Sequence, residues 1–342
     1  MSRSAIGQLA YASAAAALVA LAATVETNGY VANILMQAGT YAIAVFGLSI
    51  VLGLCGQINL AQAAFFALGA YTVALGTVDY HVPFWLCLLG GMAIALAAGA
   101  ALGASTLRLG GHYLAMVTIS FQQILTVVLL NAIGFTHGPD GVSSIPRPAG
   151  FASGQAFLAL VVAILAISGY LVWRLADTRL GRAMRAVRDN ELAASANGID
   201  IFRTKLIAFA LAALLGGLGG GLFAGGFSYI SPDQFAFADS IVLLTMALLG
   251  GVASPIGSAI GTGLLILIPE WLRFLKSVPG LYLAVYGLAV ILIVIFMPDG
   301  IWGYVSKLFG ARKGEPAKAV EPLTLRPVDS GAAVALEVRG LS

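Results

Sequence analysis

Charged residues are scarce in this chain of 342 residues, because Asp, Glu, Lys and Arg make up only 10% of it. A soluble domain carries roughly 25% charged residues. Hydrophobic residues account for 60% of the chain, and the mean hydropathy is +0.96. Too few polar groups are present to cover the surface of such a chain, so lipid must cover it. The apolar stretches are long and continuous, which excludes the short alternating strands of a β-barrel and predicts an all-α polytopic membrane protein.

Residues that carry chemistry are also few. The two cysteines, Cys55 and Cys87, lie in or beside apolar stretches, which favours buried thiols over a disulfide or a metal site. The three histidines show no metal-ligand spacing, and no hydrolase, metalloprotease or nucleotide-binding motif is present. Ionisable residues are nearly absent from the apolar stretches, so the usual parts of proton-driven or sodium-driven transport are missing. We therefore expect no catalytic residue, no metal and no cofactor bound by this chain.

Ten apolar stretches approach the length of about 20 residues that a membrane-spanning helix needs. Lys and Arg concentrate before the first stretch, after the sixth and after the last, which places both termini and the loop 176–205 in the cytoplasm. The ten stretches are 5–25, 30–54, 59–78, 83–106, 113–133, 155–175, 206–228, 239–252, 256–273 and 280–298.

A weak internal repeat relates the two halves of the chain. Residues 58–65 align with residues 230–237 at an offset of 172, and four of the eight aligned positions are identical. The same offset brings the second, third and fourth stretches close to the seventh, eighth and ninth. Five stretches per half is an odd number, so the halves would run in opposite directions across the membrane. Inverted repeats of five plus five spans are typical of transporters.

One strongly charged segment, residues 174–205, interrupts the apolar chain and forms what we call the charged loop. Residues 174–205 hold seven of the 18 Lys and Arg residues and four of the 15 Asp and Glu residues. Strong helix formers predict a helix from Leu180 to Ala196, and Gly198 is a typical helix stop. The segment is either a docking surface for a protein partner or an ordinary basic loop on the cytoplasmic side.

Uncharged polar side chains at or near the spans are the candidates for a translocation pathway. Amide and hydroxyl groups can hydrogen-bond a passing zwitterion without trapping it, although they also join helices to one another. The candidates are Gln57, Asn59, Gln62, Thr118, Gln122 and Gln123, together with the neighbouring Phe65.

The C-terminal part divides into two segments after a membrane domain at 1–305. Residues 306–333 are polar, contain proline and lack periodicity, which predicts a cytoplasmic linker. In 334–342, Val334, Leu336 and Val338 alternate with other residues as on one face of a β-strand. The alternative is a disordered tail.

Several motifs, in order along residues 30–305, resemble one family of transport proteins. They are GLCGQINLAQAAFFALGAY at 53–71, LRLGGHYLAMVT at 107–118 with SFQQI at 120–124, ELAASANG at 191–198, ISP at 230–232 and MALLGG at 246–251. This pattern is similar to the LivM-type permease subunit of branched-chain amino acid ABC importers. The chain departs from the family at Gln122 and Gln123, where relatives often have an acidic residue.

The resemblance implies a set of partners in the bacterial inner membrane. A LivH-like permease would complete the pore, a periplasmic binding protein would deliver the substrate, and ATPase subunits would hold ATP and Mg²⁺. Residues 334–342 would be the first strand of an ATPase domain if permease and ATPase are fused. No nucleic-acid partner is implied. The coupling residues implied are Arg185, Arg188, Glu191, Ala193, Ala194 and Gly198.

Three other functions stay open at this stage. Permeases for urea and short-chain amides are close relatives of the same family. A facilitator for a small neutral solute would need no ATPase, and changes at Glu191 or Gly198 would then leave transport intact. A membrane enzyme or an assembly scaffold ranks last, because the sequence offers no catalytic cluster.

Overall fold

The chain folds into a bundle of apolar helices. The computed structural model describes residues 29–106, 112–252, 254–271, 287–288 and 300–308. Within these ranges the protein is almost entirely helical, which confirms the all-α prediction. The stretch 5–25, most of the stretch 280–298, and the linker and strand predicted beyond 308 lie outside the described residues.

The N-terminal half of the described chain contains six α-helices and a short strand. They are α1 (Gly29–Leu48), which continues into a π-helical turn (Ser49–Leu54), α2 (Gln62–Val78), α3 (Phe84–Thr106), α4 (His112–Asn131), the short α5 (Ile133–Thr136), β1 (Val142–Ser143) and α6 (Gly154–Asp177). The C-terminal half contains α7 (Arg179–Asp189), α8 (Glu191–Ala196), α9 (Ile201–Phe227), β2 (Tyr229–Ile230), α10 (Phe237–Gly250), α11 (Pro255–Trp271) and α12 (Gly300–Leu308).

Five described helical segments are long and apolar enough to cross a membrane, namely Gly29–Leu54, Phe84–Thr106, Tyr113–Asn131, Gly154–Asp177 and Ile201–Phe227. Three shorter apolar helices, at Gln62–Val78, Phe237–Gly250 and Pro255–Glu270, lie among them in the sequence. Every predicted stretch that falls within the described residues is therefore helical, with boundaries that move by a few residues.

Helix α9 is the centre of the described bundle and packs against α1, α2 and α3. Its glycines allow this, because α2 approaches so closely that a Cβ on Gly220 would collide with the carbonyl oxygen of Phe66. A Cβ on Gly69 of α2 would likewise collide with the backbone of Gly217. Helices in lipid associate through such close packing, since no hydrophobic force drives them together.

A two-stranded ribbon joins two loops at one end of the bundle. β1 pairs antiparallel with β2, with Val142 opposite Ile230 and Ser143 opposite Tyr229. Helix α9 starts just after α8 and has 27 residues, so this ribbon lies roughly 40 Å from the charged loop. The loop 134–154 is therefore ordered and lies at the end of the bundle opposite the charged loop.

Candidate functional site

The charged loop contains two helices where the sequence predicted one. Asn190 adopts an extended backbone (φ −162°, ψ 113°) that separates α7 from α8. Its side-chain oxygen accepts a hydrogen bond of 3.0 Å from the backbone N–H of Ala193, so Asn190 is the N-cap of α8. The prediction of an unbroken helix from Leu180 to Ala196 is wrong, because propensity alone does not reveal a capping residue within a run of helix formers.

The stop at Gly198 is confirmed. Gly198 has a φ of +79°, its N–H donates to the carbonyl of Ser195 at 2.9 Å, and the N–H of Ile199 donates to Ala194 at 3.1 Å. These two bonds form a Schellman motif, which favours glycine because a side chain is strained at this φ. The motif ends α8 and directs the chain into α9.

The arginines of α7 contact backbone carbonyls of the membrane helices. The guanidinium of Arg185 donates to the carbonyl of Ala176 at 2.8 Å, at the end of α6. Arg188 donates to the carbonyl of Gly53 at 2.6 Å, at the end of the π-helical turn. Gly56 has a φ of +70° and lies against Arg188, so a Cβ there would be 2.6 Å from the arginine Cγ. The charged loop is thereby attached to the last turn of the first span described.

An ion pair attaches α8 to the first turns of α9. The ammonium of Lys205 lies 2.7 Å from a carboxylate oxygen of Glu191, and the Lys205 side chain is only 7% exposed. Both charges act on Cys55, the residue that follows the π-helical turn. Burial raises the pKa of the Cys55 thiol to about 11, and nearby Glu191 adds to this effect while Lys205 opposes it.

The outward surface of α8 is small and partly apolar. Leu192 is 82% exposed, and Ala193, Ser195 and Ala196 are exposed beside it, whereas Ala194 is buried against the bundle. Of the residues implied for coupling, Ala193 and Gly198 therefore face outward, while Arg185, Arg188 and Glu191 contact the rest of the chain. The sequence reasoning missed Leu192, although an apolar side chain beside the Ala pair in a polar loop was a usable signal.

Four of the pathway candidates belong to one buried hydrogen-bond network. The Asn59 amide donates to the Gln62 side chain at 3.1 Å, and its oxygen accepts from the N–H of Ala61. Gln62 donates in turn to the carbonyls of Ala44 at 2.8 Å and Ala212 at 3.1 Å. Residues 55–61 form the break between α1 and α2. The bonds of Asn59 and Gln62 join this break to both α1 and α9.

The same network extends to α4 and α10. The Thr118 hydroxyl accepts from the N–H of Leu60 at 3.2 Å. Gln122 donates to the carbonyl of Phe235 at 2.7 Å and accepts from Ser240 at 3.2 Å, and Ser240 accepts from the N–H of Ala63. Each side-chain polar atom of Asn59, Gln62, Thr118 and Gln122 thus has a partner within the protein.

The other three pathway candidates lie apart from this network. Phe65 is fully buried and packs against the ring of Phe121 at 5.8 Å between centroids. Gln57 is half-buried in the break between α1 and α2, and Gln123 is exposed on α4. Among the described residues, no three His, Cys, Asp or Glu side chains come together as a metal site.

Apolar helices of membrane-spanning length, packed through glycines and joined by a polar loop of two short helices, define a multi-pass membrane protein of the permease class. The chain belongs to the family described as "Branched-chain amino acid transport system / permease component", which matches residues 30–295. It is therefore a membrane permease subunit of an ABC importer.

The chain is similar to permeases for branched-chain amino acids and to a permease for ribose. The chain is 35% identical to the high-affinity branched-chain amino acid transport system permease protein LivM of Escherichia coli, over 81% of this chain and 72% of LivM. It is 27% identical to LivH of Salmonella typhimurium, over 77% of this chain and 91% of LivH. It is 28% identical to the ribose import permease RbsC of Escherichia coli, over 82% of this chain and 90% of RbsC. No solved structure matches the chain.

Proposed function

We propose that the chain forms half of the pore of an ATP-driven importer for branched-chain amino acids. The substrate class rests on the likeness to LivM, a branched-chain amino acid permease. The observation that carries the ATP-driven mechanism is the charged loop, in which Arg188 and Lys205 bind inward while Leu192 faces outward. A loop that is attached to a span on one side and offers an apolar contact on the other suits transmission of movement.

The ATPase subunits would dock on α8, and ATP and Mg²⁺ would bind in those subunits or in a fused ATPase domain. A push on α8 would reach the π-helical turn through the contact of Arg188 with Gly53. Single π-helical turns inside α-helices are frequent at functional sites. From that turn the movement would pass to the break at 55–61 and to the hydrogen bonds of Asn59 and Gln62.

Ten spans, arranged as an inverted repeat of five plus five, are part of this proposal. Moving residues 29–54 by the sequence offset of 172 gives 201–226, and α9 covers Ile201–Phe227. The same shift moves Val78, the end of α2, to Gly250, the end of α10. The packing is also reciprocal, since α9 packs on α2 and α3 while α1 packs on α10 and α11. These coincidences support alternating access by rocking of the two halves.

The remaining partners and the orientation follow from the same proposal. Both termini and the charged loop would face the cytoplasm, where Lys and Arg accumulate. A LivH-like permease would be the second pore subunit, and a periplasmic binding protein would dock on the opposite face. Residues 1–305 would be the permease domain, 306–333 a linker, and 334–342 the first strand of an ATPase domain.

During transport, the polar network would change partners. In the described conformation Asn59, Gln62, Thr118 and Gln122 hold helices together, so these groups are not offered to a substrate. Rocking of the halves would break bonds such as that of Gln62 with Ala212 and expose the amides to the pathway. Gln57 and Gln123 are accessible already, and Phe65 packs against Phe121 of α4.

Uptake of labelled leucine in cells lacking this chain tests the proposal. We expect uptake to fall to background and to return when the chain is supplied from a plasmid. Leucine uptake that persists, with the binding protein present, while labelled urea or acetamide uptake is lost would replace the substrate by a short amide. Uptake that depends on this chain but survives depletion of cellular ATP would show a facilitator instead.

A further inference from the structure

A cavity of about 510 Å³ lies at the end of the bundle opposite the charged loop. Its walls come from α1, α10 and α11, with Phe227 at the end of α9. The position of the cavity follows from the direction of two helices. Helix α9 begins beside α8, and α1 ends near the contact of Gly53 with Arg188, so these ends lie at the charged loop. The opposite ends of both helices, at Phe227 and Tyr30, line the cavity.

The lining of the cavity combines negative charge with apolar walls. Asp239 and Glu270 contribute carboxylates, and Gln37 and Tyr41 contribute neutral polar groups. None of the described residues that line the cavity is Lys, Arg or His. The rest of the wall is mainly aliphatic and is formed by side chains such as Met246 and Leu265. A concave site with few polar groups and an apolar wall is the usual form of a small-molecule site.

Glu270 lies on α11, in the wall of the cavity. It follows Pro269, which has no N–H to donate to the carbonyl of Leu265 one turn earlier. The Glu270 carboxylate accepts a hydrogen bond from the Tyr30 hydroxyl of α1. Glu270 of α11 and Tyr30 of α1 therefore meet in the lining of the cavity.

Asp239 adds a second carboxylate from the first turn of α10. One of its oxygens accepts from the N–H of Ala236 at 2.9 Å, which caps the helix. A carboxylate has about four acceptor sites, so this bond leaves capacity for a ligand. Tyr41 and Gln37 of α1 line the same cavity as Asp239. Asparagine at this position could cap the helix equally well but would carry no charge. A change of Asp239 to asparagine therefore tests the charge separately from the cap.

We propose that this cavity binds the ammonium group of the hydrophobic amino acid as it enters the permease, with Asp239 and Glu270 as the ligands of that group. The inference rests on the proposed function, because it assigns a subsite to the same substrate. The aliphatic wall receives the side chain of the amino acid. The two carboxylates repel the carboxylate of the substrate, which therefore points towards the opening. A volume of about 510 Å³ holds such a ligand together with water.

Analogues of leucine that each lack one charged group test this assignment. The membrane complex is purified without the periplasmic binding protein, and ligand binding is followed by saturation-transfer NMR. The probes are L-leucine, 3-methylbutylamine, which lacks the carboxylate, and 4-methylpentanoate, which lacks the ammonium. We expect leucine and 3-methylbutylamine to bind and to compete with each other, whereas 4-methylpentanoate does neither.

Conservative variants then identify the carboxylates. Glu270→Gln and Asp239→Asn keep the shape and the capping oxygen but lose the charge, and each should weaken 3-methylbutylamine binding on the order of tenfold or more. The matched control is Asp140→Asn, an exposed acid at the same end of the bundle and outside the cavity. Its binding should equal that of the unchanged protein.

Other results would overturn the assignment. Equal binding by 4-methylpentanoate, or unchanged binding in both cavity variants, would remove the ammonium subsite. Displacement of 3-methylbutylamine by sodium or potassium at constant ionic strength would make the cavity an inorganic cation site. ATP-driven leucine uptake by the same complex, with its binding protein restored, distinguishes a failure of the ammonium subsite from a failure of the proposed function. Uptake without an ammonium subsite refutes this inference alone, and absence of leucine uptake refutes the proposed function.

Discussion

At the scale of single residues, glycines set how closely the helices approach. The missing Cβ of Gly220 is what permits the backbone of α9 to lie against the carbonyl of Phe66 on α2. Other glycines in the bundle are not constrained in this way. Within the described residues, no atom lies within 4 Å of the place where a Cβ on Gly263 of α11 would be.

The pair Gly220→Ala and Gly263→Ala tests this difference with the same chemical change. We expect Gly220→Ala to lower the thermal unfolding midpoint of the purified protein, because overpacking costs about 1–3 kcal/mol. Gly263→Ala should leave the midpoint unchanged or raise it slightly, since alanine favours helix. Equal midpoints for the two variants would show that α2 and α9 can move apart without loss of stability.

The ion pair of Lys205 and Glu191 shows how burial changes the role of a charged residue. A lysine that is 7% exposed must be paired, because an unpaired buried charge is strongly unfavourable. Glu191 is therefore required by the interior of the permease itself. Both charges of the pair act on the pKa of Cys55, the residue with which the break between α1 and α2 begins.

At the scale of secondary-structure elements, α8 is the described part of the loop best suited to a partner. It has six residues, Asn190 caps its start, and Gly198 ends it. These local devices fix its length, and the buried Ala194 fixes which side faces out. Leu192 and Ala193 are consequently presented together on the outer surface.

Replacement of Leu192 by arginine tests docking on α8. We expect Leu192→Arg to abolish co-purification of the ATPase subunits, with an affinity loss of about tenfold or more, because a central apolar contact becomes charged. The matched control is Ile133→Arg, at an aliphatic residue that is 65% exposed at the opposite end of the bundle. Normal co-purification of ATPase with both variants would place docking elsewhere.

The π-helical turn is the second element that matters for coupling. Ser49 in this turn shares a hydrogen bond of 2.6 Å with Ser258 of α11, and Gly53 accepts from Arg188. The turn therefore contacts the charged loop at one end and a helix of the second half at the other. A shift of the loop would act on both halves of the bundle at once.

At the scale of the whole molecule, the two loops joined by the ribbon and the loop carrying α8 lie at opposite ends of the helices. The proposed orientation makes the first of these ends periplasmic and the second cytoplasmic. Asp140 and Ser195 are exposed positions at the two ends and suit chemical labelling. The two native cysteines are buried, so the background reactivity is low.

A membrane-impermeant maleimide should label Asp140→Cys in intact spheroplasts and Ser195→Cys only after the membrane is opened. The reaction is run near pH 7, about four units below the raised pKa of Cys55 of about 11, so that thiol stays protonated and unreactive. The unchanged protein, treated in the same way, is the control. Labelling of Ser195→Cys in intact spheroplasts would reverse the proposed orientation.

The sequence by itself determined the features that depend on local composition and on motifs. Low charge and long apolar runs fixed the class, because the bilayer requires self-satisfied helices of a given length. The positions of the described helices and the stop at Gly198 followed from local preferences, and ordered motifs indicated the family. Gln62 and Gln122 stand out in the sequence as polar residues within apolar surroundings, and both are buried in the structure. Their place in a translocation pathway stays a prediction.

Only the tertiary structure decided what those residues contact. Gln62 bonds to Ala212, 150 positions away, and Arg188 bonds to Gly53, 135 positions away. Such partners depend on how helices pack, which hydrophobic periodicity does not encode. The cavity has the same origin, since Asp239 and Glu270 are distant in sequence and share a site only because α10 and α11 both pack against α1. Local preferences thus set the helices, and close packing through glycines set which polar groups meet.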